Sequence, residues 1–181
     1  MRNLKYLFIL ISMTLVSCEG VVDGINENPN ELTAADVDPK FFLTGAQLAN
    51  TQIQVGHLNR ISGMWSGQLT GFASLYSNIY GYNISAAESN TTWFDVYVGV
   101  IPNVRSIQNN ANSSPLLVGI AKVLEAHAIG TAASIFGDIP YSEVSNEEYL
   151  TPNFDGQESV YGAVIALLDD AIGTLSSAAS D

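Results

Sequence analysis

One cysteine, two histidines and six basic residues are all that the 181-residue chain contains of these types, and each shortage removes a class of function. A lone cysteine, Cys18, cannot close an internal disulfide. His57 and His127 lie far apart, with no Cys, His, Asp or Glu cluster at ligand spacing beside either, so no metal site is expected. Six Lys and Arg against 18 Asp and Glu give a net charge of −12. Nothing basic is left to neutralise phosphates, which excludes nucleic acid as a partner. A Gly-x-Ser-x-Gly elbow and a glycine-rich phosphate loop are both missing, so no catalytic residue and no cofactor is expected. Strand-like alternation is also absent, which leaves helices to build the body.

What is present begins with MRNLKYLFILISMTLVSCEG. Arg2 and Lys5 precede an apolar run from Tyr6 to Val16, too short to cross a bilayer core of ~30 Å but suited to a signal peptide. The run ends in Leu15-Val16-Ser17-Cys18, which resembles a bacterial lipobox. Residues 1–17 are therefore expected to be a lipoprotein leader and Cys18 the lipid attachment site. Two or three acyl chains, at ~0.8 kcal/mol per buried methylene, make a stable anchor. Beyond the leader, four bases face 18 acids, a net of −14, so the lipid rather than surface charge must hold the membrane. Residues 18–38 are rich in acids, glycine and asparagine without helical period, and read as a solvated tether.

From Asp38 the period is helical. Asp38-Pro39 sets an N-cap and N1 proline, followed by a stripe of Phe42, Ala46, Ala49 and Ile53. A second helix is expected over 56–69, with Ile61, Met64, Trp65 and Leu69 on one face. Residues 70–90 (TGFASLYSNIYGYNISAAESN) read as a long loop. A third helix carries Trp93, Tyr97, Val104 and Ile107 inward, with a kink expected at Pro102. Ser114-Pro115 opens a helix to Phe136, rich in glycine and alanine and so expected at the centre. Asp155-Gly-Gln-Glu158 reads as a capping box before a helix to Leu175. Both tryptophans and His127 are expected among core or interhelical contacts.

This order of motifs resembles the front part of a SusD/RagB-type outer-membrane lipoprotein. The residues that carry the likeness are Cys18, the Asn26-Glu-Asn-Pro-Asn30 start, WFDVYVGV, FGDIPYSEV and TPNFDGQESVYGAVIALLDDAI. The resemblance implies an all-α fold of TPR-like helix pairs with long irregular loops over 39–181, incomplete at its C-terminal side. It also implies a non-catalytic protein at the cell surface, anchored in the outer membrane, that passes a glycan or other small nutrient to a SusC-type TonB-dependent transporter. A TPR-like assembly or adhesion lipoprotein that binds another protein is the competing reading.

Two segments carry candidate roles. In GDIPYSE, Gly137, Asp138, Pro140 and Tyr141 are expected to form a structural turn that closes the central helix; an Asp138–Glu143 acid/base pair is the reading it displaces. In the 70–90 loop, Tyr76, Tyr80 and Tyr82 alternate with Asn78 and Asn83. Aromatic faces pack on the apolar faces of sugar rings, and amides offer a donor and an acceptor to hydroxyls, so these five are the candidate ligand contacts.

Overall fold

The computed structural model describes residues 37–146 and 148–179. The leader, Cys18 and all of the tether but its last two residues lie outside them. The architecture is all-α, and two of its three longest helices begin at the caps that the sequence writes.

Helix α1 (Pro39–Val55) starts where the Asp38 side chain accepts from Lys40 N at 3.0 Å with Pro39 in the first turn. Helix α2 (His57–Trp65) ends four residues earlier than the apolar pattern predicts. Gly67, at φ +74°, donates to Met64 O while Gln68 N reaches Gly63 O at 2.8 Å. This is a Schellman stop, in which a glycine in left-handed conformation closes the helix. Leu69 then folds back over Gly63, where an added Cβ would lie 2.8 Å from Leu69 Cδ1.

The expected loop at 70–90 contains a short helix, α3 (Ser74–Tyr80), and a 3-10 turn over Ala86–Ser89. No capping side chain announces α3, so the sequence offers only Leu75 and Ile79, one turn apart. Ile79 is fully buried and holds the segment down.

Three segments then run on without a break: α4 (Asn90–Phe94), a π-helical stretch (Asp95–Val100) and α5 (Ile101–Asn109). Pro102 lacks an N–H and its ring crowds the carbonyl four residues back. The chain accommodates this by widening the turn before the proline, and Pro102 sits in the first turn of α5. Asn103 Nδ2 donates to Gly99 O at 2.7 Å inside the widened turn.

Helix α6 (Pro115–Phe136) is capped by Ser114, whose Oγ accepts from Leu117 N, and ends at Gly137. Helix α7 (Gln157–Ala178) returns antiparallel to it: Gln157 Nε2 donates to Ala133 O, while Lys122 near the start of α6 pairs with Asp170 at 2.8 Å. Small residues set the spacing. A Cβ on Gly119 would lie 2.5 Å from Leu175 Cγ, and one on Gly99 2.6 Å from Ala49 Cβ. The core lies between α1, the π stretch with α5, α6 and the inner side of α7, filled by Ile53, Val96, Val100, Ile101, Val104, Ile107, Ile129 and Val160. By length and composition alone α6 and α7 could cross a membrane, but half of the α6 window is covered within this core. The outer side of α7 carries a further apolar stripe, Tyr161, Ile165, Leu168 and Ile172, with Ile165 and Ile172 more than 60% exposed.

One carboxylate interrupts the apolar interior. Glu125, 3% exposed, accepts from Arg105 Nε at 3.1 Å, Gln108 Nε2 at 2.6 Å and the Tyr141 hydroxyl at 3.2 Å. Removing one partner of a buried pair leaves the other charge uncompensated, which costs about 3–5 kcal/mol. Glu125→Ala is therefore expected to destabilise by about 3 kcal/mol, since Arg105 keeps some contact with water. The double replacement Glu125→Leu with Arg105→Met should cost less than Glu125→Ala alone; urea unfolding of the three proteins checks the order.

Candidate functional site

Trp65 is the last residue of α2, so the Schellman turn at Gly67 directs the chain around its ring. Trp65 Nε1 donates to Ile79 O at 2.7 Å, and the indole stacks on Tyr82 with centroids 5.5 Å apart and planes 29° apart. Trp65 is 39% exposed and Tyr82 70%. The expectation that both tryptophans belong to the core holds only for Trp93, which packs against Tyr97 and Phe136. Trp65 differs because its helix stops beneath it. Its sequence signal was Gly67, whose capping geometry fixes the helix end.

The backbone around α3 is strained. Ser74 and Tyr82, at φ +54° and +59°, bracket the helix in the left-handed region, which costs non-glycine residues of order 1–3 kcal/mol each. Gly71 passes so close to Tyr76 O that a Cβ there would lie 2.0 Å from it. Of the candidate contacts, Tyr82 joins Trp65, whereas Tyr76 lines a separate groove of about 380 Å³ with Met64, Leu69, Phe72 and Arg60. Tyr80 is 45% exposed on α3. Asn78 and Asn83 meet through their backbones, Asn83 N to Asn78 O at 2.9 Å, and both residues are exposed.

On the other side of Arg60 lies a polar groove of about 400 Å³, bordered by Gln52, His57, Glu88, Thr91 and Asp95. Burial pushes the Asp95 carboxyl above its ordinary value. His57 Nε2 and Glu88 Oε2 are buried there without a hydrogen-bond partner. His127, by contrast, is held between helices, its Nδ1 3.1 Å from Asn50 Nδ2.

The 137–143 segment has a different chemistry. Gly137 adopts φ +79° and donates to Ala133 O at the end of α6. Ile139 and Asp155 exchange two backbone bonds of 3.2 and 2.9 Å. Asp138 Oδ1 accepts from Gln157 N at 2.9 Å, so it caps α7 from nineteen residues away. This corrects the capping-box reading: Gly156 is the N-cap residue and gives no side-chain bond. Asp155 points back instead, accepting from Tyr141 N, Ser142 N and Ser142 Oγ at 2.8–2.9 Å. Glu143 is bound to Asn153, and Pro140 O accepts from the Tyr97 hydroxyl at 2.8 Å. Arg105 lies 5.4 Å over the Tyr141 ring and donates to Tyr141 O and Val144 O. Burial and the nearby Glu125 carboxylate push the Tyr141 phenol up to about 12. Each carboxylate and hydroxyl of this segment thus has a hydrogen-bond partner, on α6, at the start of α7 or in the chain just before it.

Residues 29–181 match the family model SusD-like_2, described as starch-binding and associating with the outer membrane. Among solved structures, a SusD-like protein from Bacteroides thetaiotaomicron is similar to this chain, with a TM-score of 0.65 at 23% identity. The match covers 79% of this chain and 31% of that protein, so the chain spans about a third of its length. No curated protein matches.

Desolvation raises the Asp155 carboxyl, but the bonds from Ser142 and Tyr141 outweigh it and hold the group below its ordinary value. A depressed folded pKa gives stability that is present above the unfolded value, about 3.9, and is lost as pH falls through the folded one. Stability should therefore decline below about pH 4, and Asp155→Asn should be less stable at pH 7 with a flatter acid limb. Urea midpoints between pH 3 and 7 measure both.

Proposed function

Because the chain belongs to the SusD-like family, we propose that it is a lipid-anchored outer-membrane protein that captures a glycan at the cell surface for a SusC-type TonB-dependent transporter. The observation that carries this reading is the exposed Trp65–Tyr82 pair, in which a strained loop lays Tyr82 against the end of α2. A flat aromatic surface packs on the C–H face of a sugar ring, and strained backbone concentrates where binding needs a fixed geometry. Tyr76, Tyr80, Asn78 and Asn83 extend the contact surface around it. In this reading residues 1–17 are the leader, Cys18 bears the lipid and 18–38 tether the helical body. The Gly137–Tyr141 turn serves as a joint, and the protein binds without catalysis.

The second reading, a lipoprotein that assembles with other proteins, is favoured by the apolar α7 stripe. The two readings separate on glycan binding. Loss of an aromatic contact forfeits about 0.5–1.5 kcal/mol beyond its buried area. Trp65→Ala and Tyr82→Ala are therefore expected to weaken glycan affinity by roughly 2–10-fold or more, while Ser142→Ala leaves it unchanged. Glycan-array screening followed by calorimetry tests this; an absence of any glycan ligand favours the assembly reading.

The anchor has its own test. Cys18→Ala is expected to abolish palmitate labelling and to release the protein from the membrane fraction or block its processing. Labelling of the variant at the wild-type level would reject Cys18 as the attachment site.

A further inference from the structure

Arg60 stands on α2 between the two grooves and borders both. Among the described residues, Arg105 is paired with Glu125 and Lys122 with Asp170. Arg60 and Lys40 have no ion pair there, and Lys40 borders neither groove. The two grooves differ in charge. On the polar side stand Glu88 and Asp95, where a further negative charge is disfavoured. On the apolar side Met64, Leu69, Thr70, Phe72 and Tyr76 add no carboxylate, so among the described residues the guanidinium is the one charged group of that groove.

A guanidinium without an ion pair among the described residues is unusual in a chain with 18 acids and six bases. The net field of such a chain repels anions within the ~10 Å screening length and is damped beyond it, so affinity for one must come from a local contact. Guanidinium offers a planar fork of donors that matches a carboxylate in a bidentate pair, a stronger contact than a neutral hydrogen bond. Beside it, the rings of Phe72 and Tyr76 offer apolar faces and Thr70 a hydroxyl. We propose that this groove takes an acidic sugar, a uronic acid residue of a glycan. Its carboxylate pairs with Arg60 and its ring lies along Tyr76 and Phe72. The inference rests on the glycan reading and narrows it to a substrate class.

The test is calorimetry of the purified protein in detergent with oligogalacturonate and with its neutral methyl ester. The acid is expected to bind about tenfold tighter or more. Arg60→Gln should remove that preference, bringing the affinities of acid and ester to within about twofold of each other, and Arg60→Lys, a cation without the fork, should recover part of it. Circular dichroism checks that both variants fold, as expected for an exposed side chain without an internal ion pair. Equal binding of acid and ester, or a preference that survives Arg60→Gln, overturns the proposal. So does a short peptide that displaces the acid through its own terminal carboxylate. Neutral glycans that bind in a Trp65-dependent way, without any preference for the acid, would sink this inference and leave the glycan reading standing. If no glycan of either kind binds, both fall.

Discussion

Burying the Glu125 carboxylate creates a demand that the surrounding chain must meet. An ionised group at 3% exposure loses most of its hydration, a penalty of several kcal/mol that only close partners offset. The partners come from two places: Arg105 and Gln108 from α5, and Tyr141 from the segment after α6. Arg105 then spends its other nitrogens on Tyr141 O and Val144 O. A single charge in the central helix thereby fixes the register of α5 against α6 and pins the start of the excursion to α7. The same bonds account for the polar character of GDIPYSE. Its acids and hydroxyls close a chain of contacts that begins at Glu125 and ends at the first turn of α7, where Asp138 caps Gln157.

That clasp explains how a loop of about twenty residues can join two tightly packed helices. Loop closure alone is entropically cheap, growing only as the logarithm of length, but ordering each residue costs about 1–2 kcal/mol. The Ile139–Asp155 backbone bridge brings the two ends together, and Asp155 and Glu143 then satisfy the exposed backbone within. Close approach of α6 and α7 at Gly119 and Leu175 leaves no room for slippage at the far end. The pair is thus fixed at both ends, and the stripe Tyr161, Ile165, Leu168 and Ile172 is presented on a rigid helix.

The helical body was legible because its signals are local. Asp38-Pro39 and Ser114-Pro115 mark starts, and a 3.6-residue period marks buried faces such as Ala46, Ala49 and Ile53. The misreadings have a common cause, which is that the deciding partner is distant in sequence or acts through the backbone. Asp155 has the spacing of a capping box, yet its carboxylate gains more from two backbone N–H groups and a hydroxyl across the loop than from the helix beside it. Helix α3 has no cap and one buried turn, so nothing local separates it from loop. Trp65 continues an apolar stripe on paper, and only the left-handed Gly67 takes it out of the core. The polar groove and the isolation of Arg60 could not be read at all, because they depend on which segments the fold brings to α2.

The loop that lays Tyr82 on Trp65 is held by few contacts, and their magnitudes decide how firmly it is set. Ser74 and Tyr82 in left-handed backbone each cost of order 1–3 kcal/mol. Against this, complete burial of Ile79 contributes about 1.5–3 kcal/mol, and the Trp65 Nε1 bond to Ile79 O about 1 kcal/mol. Stacking of Trp65 on Tyr82 adds about 0.5–1.5 kcal/mol. The two sides nearly balance, so the platform is ordered with little to spare, and Ile79 anchors both its backbone and its indole. On the proposed reading, a ligand that covered Tyr82 would meet rings already in place and avoid most of the side-chain ordering that otherwise subtracts from affinity. The scaffold below can afford this because its own stability is secured elsewhere, around Glu125. Strain around α3 and order in the helical body are two sides of one division of labour.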